Sequence, residues 1–184
     1  MNRWIAFLRG VNVGGSKRLP MKELREALEA AGHENVQTYI QSGNLVFDSP
    51  HESYRDVSTD LTELLRESFG MTPRSHVYSP QDMARMIQLN PYREDGLETP
   101  NFVHFFLLAE PARDAQLSEL DDIKAHNERF ELTDEVFYLH APDGIGRSKL
   151  AEKLDRLLAV PMTGRNMRTI YKVAALAGLE VEEV

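Results

Sequence analysis

The order in which hydrophobic periods change along the first 78 residues constrains the fold more than any other feature of this chain. Trp4–Leu8 is a nearly continuous apolar run, the pattern of a strand buried on both faces. Leu19-Pro20 opens a helix whose stripe is Met21, Leu24, Ala27, Leu28 and Ala31, with Gly32 as a natural stop. Val36–Gln41 alternates, placing Val36, Thr38 and Ile40 on one face, and Leu45–Phe47 mirrors it after Ser42-Gly43-Asn44. That pattern predicts a β-hairpin with a tight glycine turn. A helix over 53–68 carries Val57, Leu61, Leu64 and Leu65 inward and ends at Gly70, and Pro73–Tyr78 reads as another strand. The order β-α-β-β-α-β is the ferredoxin-like unit.

Residues 79–184 echo this order without completing it. Ser79-Pro80-Gln81-Asp82 starts a helix with Met83, Met86 and Ile87 inward, and Asn90-Pro91 stops it. Residues 92–101 read as a linker or loop, and Phe102–Leu108 as a central strand. A helix over 112–121 follows through Leu117 and Leu120, then a hairpin of Phe130–Leu132 and Val136–Leu139. Ser148–Leu158 is helical through Leu150, Leu154, Leu157 and Leu158, and a last helix runs from about Met167 to Ala177. The predicted fold class is α+β: a ferredoxin-like β-α-β-β-α-β subdomain over 1–78, with a second, related α+β subdomain over 79–184 packed on it.

Composition narrows the function classes. With 42% hydrophobic and 27% charged residues among 184, the chain is neither disordered nor fibrous. No apolar run approaches the roughly eighteen residues of a spanning helix, and Trp4–Leu8 is too short for a secretory core. Without cysteine there is no disulfide, no thiolate nucleophile and no cysteine-held metal. These features predict a cytoplasmic protein with no membrane partner.

The net charge of −8 argues against a general nucleic-acid coat protein, but its distribution is uneven. Residues 1–22 hold Arg3, Arg9, Lys17, Arg18 and Lys22 without an acid; residues 156–179 hold Arg156, Arg165, Arg168 and Lys172 without an acid. The rest of the chain carries a net −17. A fold that brings the two ends together would set a positive basin on an acidic body. Two separate solvated patches are the competing reading.

Four segments could carry chemistry. The first, Arg9-Gly-Val-Asn12-Val-Gly14-Gly15-Ser-Lys17, lies between a strand and a helix; glycines let backbone N–H groups approach an anion, and Arg9 and Lys17 add charge. Its spacing fits neither the P-loop nor the dinucleotide fingerprint, so no cofactor is assigned. The second, Gln41-Ser42-Gly43-Asn44, offers groups that could read a ligand's hydrogen-bonding edges, although turn chemistry explains Gly43-Asn44 unaided. The third, Asp143-Gly-Ile-Gly146-Arg147-Ser-Lys149, leads into a helix with Ser148 as its cap. In the fourth, Arg165, Arg168, Thr169 and Lys172 share one helical face, with Asn166 as N-cap. The six histidines show no metal-ligand spacing, and His104, inside an apolar strand, reads as a hydrogen-bonded core residue. No G-x-S-x-G elbow is present, and Phe102, Phe105 and Phe106 read as core.

Leu8-Arg-Gly-Val-Asn-Val-Gly-Gly15, Thr38-Tyr-Ile-Gln-Ser-Gly-Asn44 with Phe47, Asp143–Leu150 and Arg165-Asn166 before a helix with Lys172 together resemble a bacterial family, domain of unknown function 1697. The resemblance spans essentially the whole chain. It implies a cytoplasmic α+β protein of ferredoxin-like units and carries no catalytic residues. One departure is Met167, where the family usually has an aromatic after Arg-Asn.

The expected function is binding of a phosphorylated or other anionic small molecule, phosphate or nucleotide-like. Arg9, Lys17, Arg147, Lys149 and Lys172 would supply charge, Gly14, Gly15 and Gly146 backbone approach, and Gln41, Asn44 and Asn166 orientation; Asn12, Ser42 and Arg165 also count among the ligand-binding residues. A nucleic-acid module and a protein-assembly role without a ligand are the alternatives. No reaction and no oligomeric state are assigned.

Overall fold

A computed structural model describes residues 1–15 and 17–184; Ser16, in the first glycine segment, lies outside the described residues. Two compact units emerge, Met1–Arg85 with Lys172–Val181, and Met86–Tyr171 with Glu182–Val184. The division therefore falls after Arg85 and again after Tyr171, where the sequence patterns place a single break after Tyr78. The dividing points lie within two helices, Pro80–Gln88 and Met167–Leu176.

In the first unit the elements are β1 (Asn2–Leu8), α1 (Met21–Ala30), β2 (Glu34–Tyr39), β3 (Asn44–Ser49), α2 (Tyr54–Phe69) and β4 (Ser75–Tyr78). The sheet order is β2-β3-β1-β4, and every pair is antiparallel. This is the ferredoxin-like arrangement. Trp4 to Leu8 are all buried, as a continuous apolar run in a central strand requires. Val57, Leu61, Leu64 and Leu65 of α2 join Leu24 and Leu28 of α1 in one core cluster with Ala6, Leu8, Leu45 and Phe47. Ser53 caps α2 by accepting from the Asp56 amide, and Gly70, in the left-handed conformation, ends it. Arg3 and Asp48 pair across β1 and β3, with Nε and Nη2 at 2.7 and 2.9 Å from the two carboxylate oxygens.

Ile40 departs from the pattern. It does not continue the inward face of Val36 and Thr38. The β2–β3 register shifts between Glu34 and Gln37, and the last paired residues are Tyr39 and Asn44. A four-residue connection, 40–43, replaces the tight turn expected at Ser42-Gly43-Asn44. Ile40 is left 50% exposed with φ +48°.

The second unit is a complete ferredoxin-like unit. Helix α3 (Pro80–Gln88) leads into it through a capping box: the Asp82 amide donates to Ser79 Oγ, and the Ser79 amide donates to the Asp82 carboxylate. Its own elements are β5 (Val103–Leu108), α5 (Leu117–Ile123), β6 (Arg129–Leu132), β7 (Val136–His140), α6 (Lys149–Leu158) and β8 (Met162–Asn166), in sheet order β6-β7-β5-β8. Three expectations are corrected. Residues 92–101 are not a plain linker: Arg93–Glu98 form α4, whose buried Gly96 leaves no room for a Cβ against the Met167 sulfur. Helix α5 begins at Leu117 rather than residue 112, and Leu117 is 42% exposed while Leu120 is buried. The missed strand is β8, whose Met-Thr-Gly-Arg-Asn sequence has no alternation; it forms at the sheet edge because β5 offers it an apolar partner. Gly164 pairs with Phe106, and a Cβ there would come within 2.8 Å of the Phe106 ring. The last helix, α7 (Met167–Leu176), buries Met167, Ile170, Val173 and Ala174 as its periodicity predicts. None of these helices is long and apolar enough to cross a membrane, among the described residues.

His104 occupies the predicted core position on β5 with 7% exposure, but its Nε2 has no hydrogen-bond partner. Burial, aided by repulsion from His140, lowers its pKa from 6.5 to about 4. The unfolded chain therefore takes up this proton before the folded one does. The contribution to stability is complete above pH 6.5 and drains away as the pH falls towards 4. Urea-unfolding midpoints should decline across that interval, and His104→Leu should flatten the decline; an unchanged slope in the variant would show that other groups set it.

Candidate functional site

The glycine segment leaves the end of β1 and is held at several points before α1 begins. The Arg9 amide donates to the Arg74 carbonyl at 2.9 Å. Asn12 acts as a clamp: its Nδ2 donates to the Leu19 carbonyl at 2.9 Å and the Gln41 carbonyl at 2.7 Å, and its Oδ1 accepts from the Leu19 amide at 2.8 Å. Asn12 itself has φ +55°, a conformation asparagine tolerates better than most residues. Lys17 donates to the Phe69 carbonyl at the last residue of α2, where the negative end of the helix dipole favours a cation. Gly43 packs the hairpin connection onto this segment; a Cβ there would lie 2.7 Å from Leu8 Cβ and Val11 Cγ2. The Leu8 amide donates to the Gly43 carbonyl at 2.8 Å.

Between these anchors Gly14 and Gly15, with φ +42° and +40°, are exposed, and a side chain at either would meet open space. Conformation rather than crowding selects glycine there. A cavity of about 280 Å³ lies beside them, lined by Asn12, Val13, Gly14, Gly15, Arg18 and Gln41. The structure thus joins the first and second sequence segments into one site, and none of the six residues is acidic. Asn44 is 1% exposed and donates from Nδ2 to the Tyr39 carbonyl at 3.0 Å, so its amide closes the hairpin. Ser42 is half-buried in the same connection. Arg18 and Val13 are the lining residues that the sequence candidates omit. In the sequence Arg18 contributes only to the charge of the first segment, and no pattern marks Val13.

In the second unit, Asp143–Lys149 forms a 3₁₀ turn over Ile145–Arg147 and then α6, capped by Ser148 Oγ, which accepts from the Ala151 amide at 3.0 Å. A cavity of about 390 Å³ opens there against Phe106, Ile145, Gly146, Arg147, Ser148 and Glu152. Phe106, expected as core, is half-buried and forms part of its wall. Arg147 and Lys149 are exposed, and Glu152 lines the same space.

Asn166 caps α7, its Oδ1 accepting from the Thr169 amide at 2.9 Å. Arg165 lies on β8, not on the helical face expected for it; its Nη1 donates to Thr163 Oγ1 at 2.9 Å and the Gly164 carbonyl at 2.8 Å. Burial lowers its pKa to about 10, so it is a cation at neutral pH. Thr169 is buried, while Arg168 and Lys172 are exposed. Lys172 belongs to the first compact unit, whereas Arg147, Lys149, Arg165 and Asn166 belong to the second. Met167 is fully buried, with Asn90 Nδ2 3.7 Å from its sulfur, so position 167 packs the core. Among the described residues no group of histidines and carboxylates is placed to hold a metal ion.

Two successive ferredoxin-like units, with a glycine loop clamped to a hairpin in the first, define this chain as a tandem α+β protein with a polar, cation-lined cleft. The chain belongs to the DUF1697 family of proteins of unknown function, whose profile matches residues 1–138. The Asp143–Leu150 and Arg165–Lys172 motifs lie beyond that match. The fold is shared with the conserved bacterial protein SP0830 from Streptococcus pneumoniae, at 22% identity and a TM-score of 0.69 over 95% of this chain and 98% of that one. No curated protein matches the sequence.

The clamp yields a measurable expectation. Asn12→Ala loses three hydrogen bonds and places alanine in a left-handed conformation, together about 3 kcal/mol of stability. Asn12→Gly loses the same bonds without the conformational strain and should be the milder variant by about 1 kcal/mol. Denaturant-unfolding midpoints of the two check this order; equal losses would mean the left-handed residue carries no strain.

Proposed function

We propose that this chain is a cytoplasmic protein that binds a phosphorylated or otherwise anionic small molecule at the glycine loop of its first unit. One observation carries the reading: the exposed Gly14-Gly15 backbone is held on both sides by the Asn12 clamp and Lys17, next to Arg18 and facing Gln41. A loop fixed in advance loses little entropy on binding, and glycines let backbone N–H groups reach an anion that a Cβ would hold away. Among the described residues the cavity lining is Asn, Val, Gly, Gly, Arg and Gln, side chains suited to holding a ligand, so binding is the activity proposed.

The nucleic-acid alternative is disfavoured by where the basic residues are used. Arg3 pairs with Asp48, Lys22 with Glu26 and Arg156 with Glu119, and Lys17 is engaged on a helix end. The aromatic residues Phe7, Phe105, Phe137 and Tyr138 are buried, which leaves these strand positions without a platform for stacking bases.

A thermal-shift titration with inorganic phosphate, phosphorylated metabolites and nucleotides tests the proposal. At about 100 times the dissociation constant a ligand adds roughly 2.7 kcal/mol, which for a chain of this size is a rise of about 5–10 °C. The rise should fall with added salt and disappear in Arg18→Gln. No rise with any anion, or a rise indifferent to Arg18, overturns the reading.

A further inference from the structure

The second unit holds a cavity of its own, of about 390 Å³, and none of its lining residues belongs to the glycine loop. That volume falls within the roughly 300–1,000 Å³ of small-molecule sites. Its wall is apolar at Phe106, Ile145 and Ala151 and charged at Arg147 and Glu152. Phe106 is half-buried on β5, between the fully buried Phe105 and Leu107. Its ring packs edge-to-face against Phe137, with centroids 6.2 Å apart, and Gly164 on the neighbouring strand carries no side chain to cover it. An aromatic ring is thus held in place and left in the lining.

The charged part of the wall is unspent. Arg147 and Glu152 have opposite signs and line one cavity, yet among the described residues neither makes an ion pair or a side-chain hydrogen bond, with the other or with a third residue. Gly146 stands beside Arg147 in the lining. Its backbone is not left-handed, and a Cβ there would meet nothing within 4 Å, so neither conformation nor crowding calls for glycine. A lone anion on Arg147 would share the space with the Glu152 carboxylate, and a lone cation on Glu152 would share it with a guanidinium; a molecule carrying both charges answers both. We infer that this cavity is a second binding site, for a zwitterion of the α-amino acid type with an aromatic or large apolar side chain. Its carboxylate accepts from the Arg147 guanidinium, its ammonium donates to the Glu152 carboxylate, and its side chain lies against Phe106 and Ile145.

Calorimetric titration of the full chain with L-phenylalanine tests this, set beside three analogues that each lack one feature: 3-phenylpropionate the ammonium, 2-phenylethylamine the carboxylate, and L-alanine the ring. Phenylalanine should bind saturably, and each analogue about tenfold more weakly or worse, the equivalent of about 1.4 kcal/mol. Arg147→Gln and Glu152→Gln change exposed side chains and should leave the melting temperature where it is. The first should bring phenylalanine down to the level of 2-phenylethylamine, the second to that of 3-phenylpropionate. No saturable binding of phenylalanine, an analogue that binds as tightly, or binding indifferent to both substitutions overturns the inference. The glycine-loop reading is decided separately, by the response of phosphate binding to Arg18→Gln.

Discussion

In the first unit, loops and helices are arranged around a strand whose two faces are both closed to solvent. Strand β1 lies between β3 and β4, antiparallel to both, and the side chains of Trp4 to Leu8 are all buried. Such a strand cannot slip register, because a shift of one residue would exchange its entire set of packing partners. Its end at Leu8 is therefore fixed, and so is the departure point of the glycine loop. The hairpin connection is fixed by the same means, since the Leu8 amide holds the Gly43 carbonyl and Gly43 leaves no room for a Cβ against Leu8 and Val11. The cleft is a consequence of that closure: it forms where the buried strand ends and the backbone must satisfy itself through side chains such as Asn12.

The local positive charge is set by subtraction. Of the basic residues in the two acid-free segments, several are consumed within a short reach by acids from elsewhere in the chain, as with Arg3 on Asp48 and Arg156 on Glu119. Such pairs neutralise the local field that a count along the sequence would assign. Among the described residues lining that cavity Arg18 is the charged one, beside Gly14 and Gly15. Counting charges along a segment overstates a basin that pairing across strands partly dismantles.

Much of the first unit was legible because each of its elements carries an unambiguous period. The stripe of Val57, Leu61, Leu64 and Leu65, the stop at Gly70 and the buried run at Trp4–Leu8 could each be read locally. What could not be read depends on partners distant in sequence. Strand β8 has a glycine and no alternation, and exists because Phe106 lies over Gly164 and β5 supplies the hydrogen bonds. Helix α4 is short and looks like a linker until the Met167 sulfur is seen against Gly96. In the site, the glycines and Gln41 were visible as candidates. The part Asn12 plays was not, because its three hydrogen bonds reach residues 7 and 29 positions away. The strained exposure of Ile40 was masked by an alternation that continues in the sequence one residue beyond the strand.

The two units share a topology but not the placement of their polar loops, and glycine marks the difference. In the first unit the connection after the opening strand holds Gly10, Gly14 and Gly15, and the connection from β3 to α2 is a short Pro50–Ser53 segment without glycine. In the second unit the order is reversed: residues 109–116, after β5, contain no glycine, while the connection from β7 to α6 holds Gly144 and Gly146 and borders the other cavity. A loop rich in alanine and proline has few left-handed conformations open to it and turns its N–H groups inward or to water; a loop with adjacent positive-φ glycines can present them to a ligand. Repetition of the scaffold has thus not repeated a site. Each unit exposes a different edge of the same fold, and the cleft with an acid-free lining is the one whose loop is clamped to a neighbouring hairpin. That clamp, absent from any periodic pattern, ties the start of the glycine connection to the hairpin and to the entry of α1.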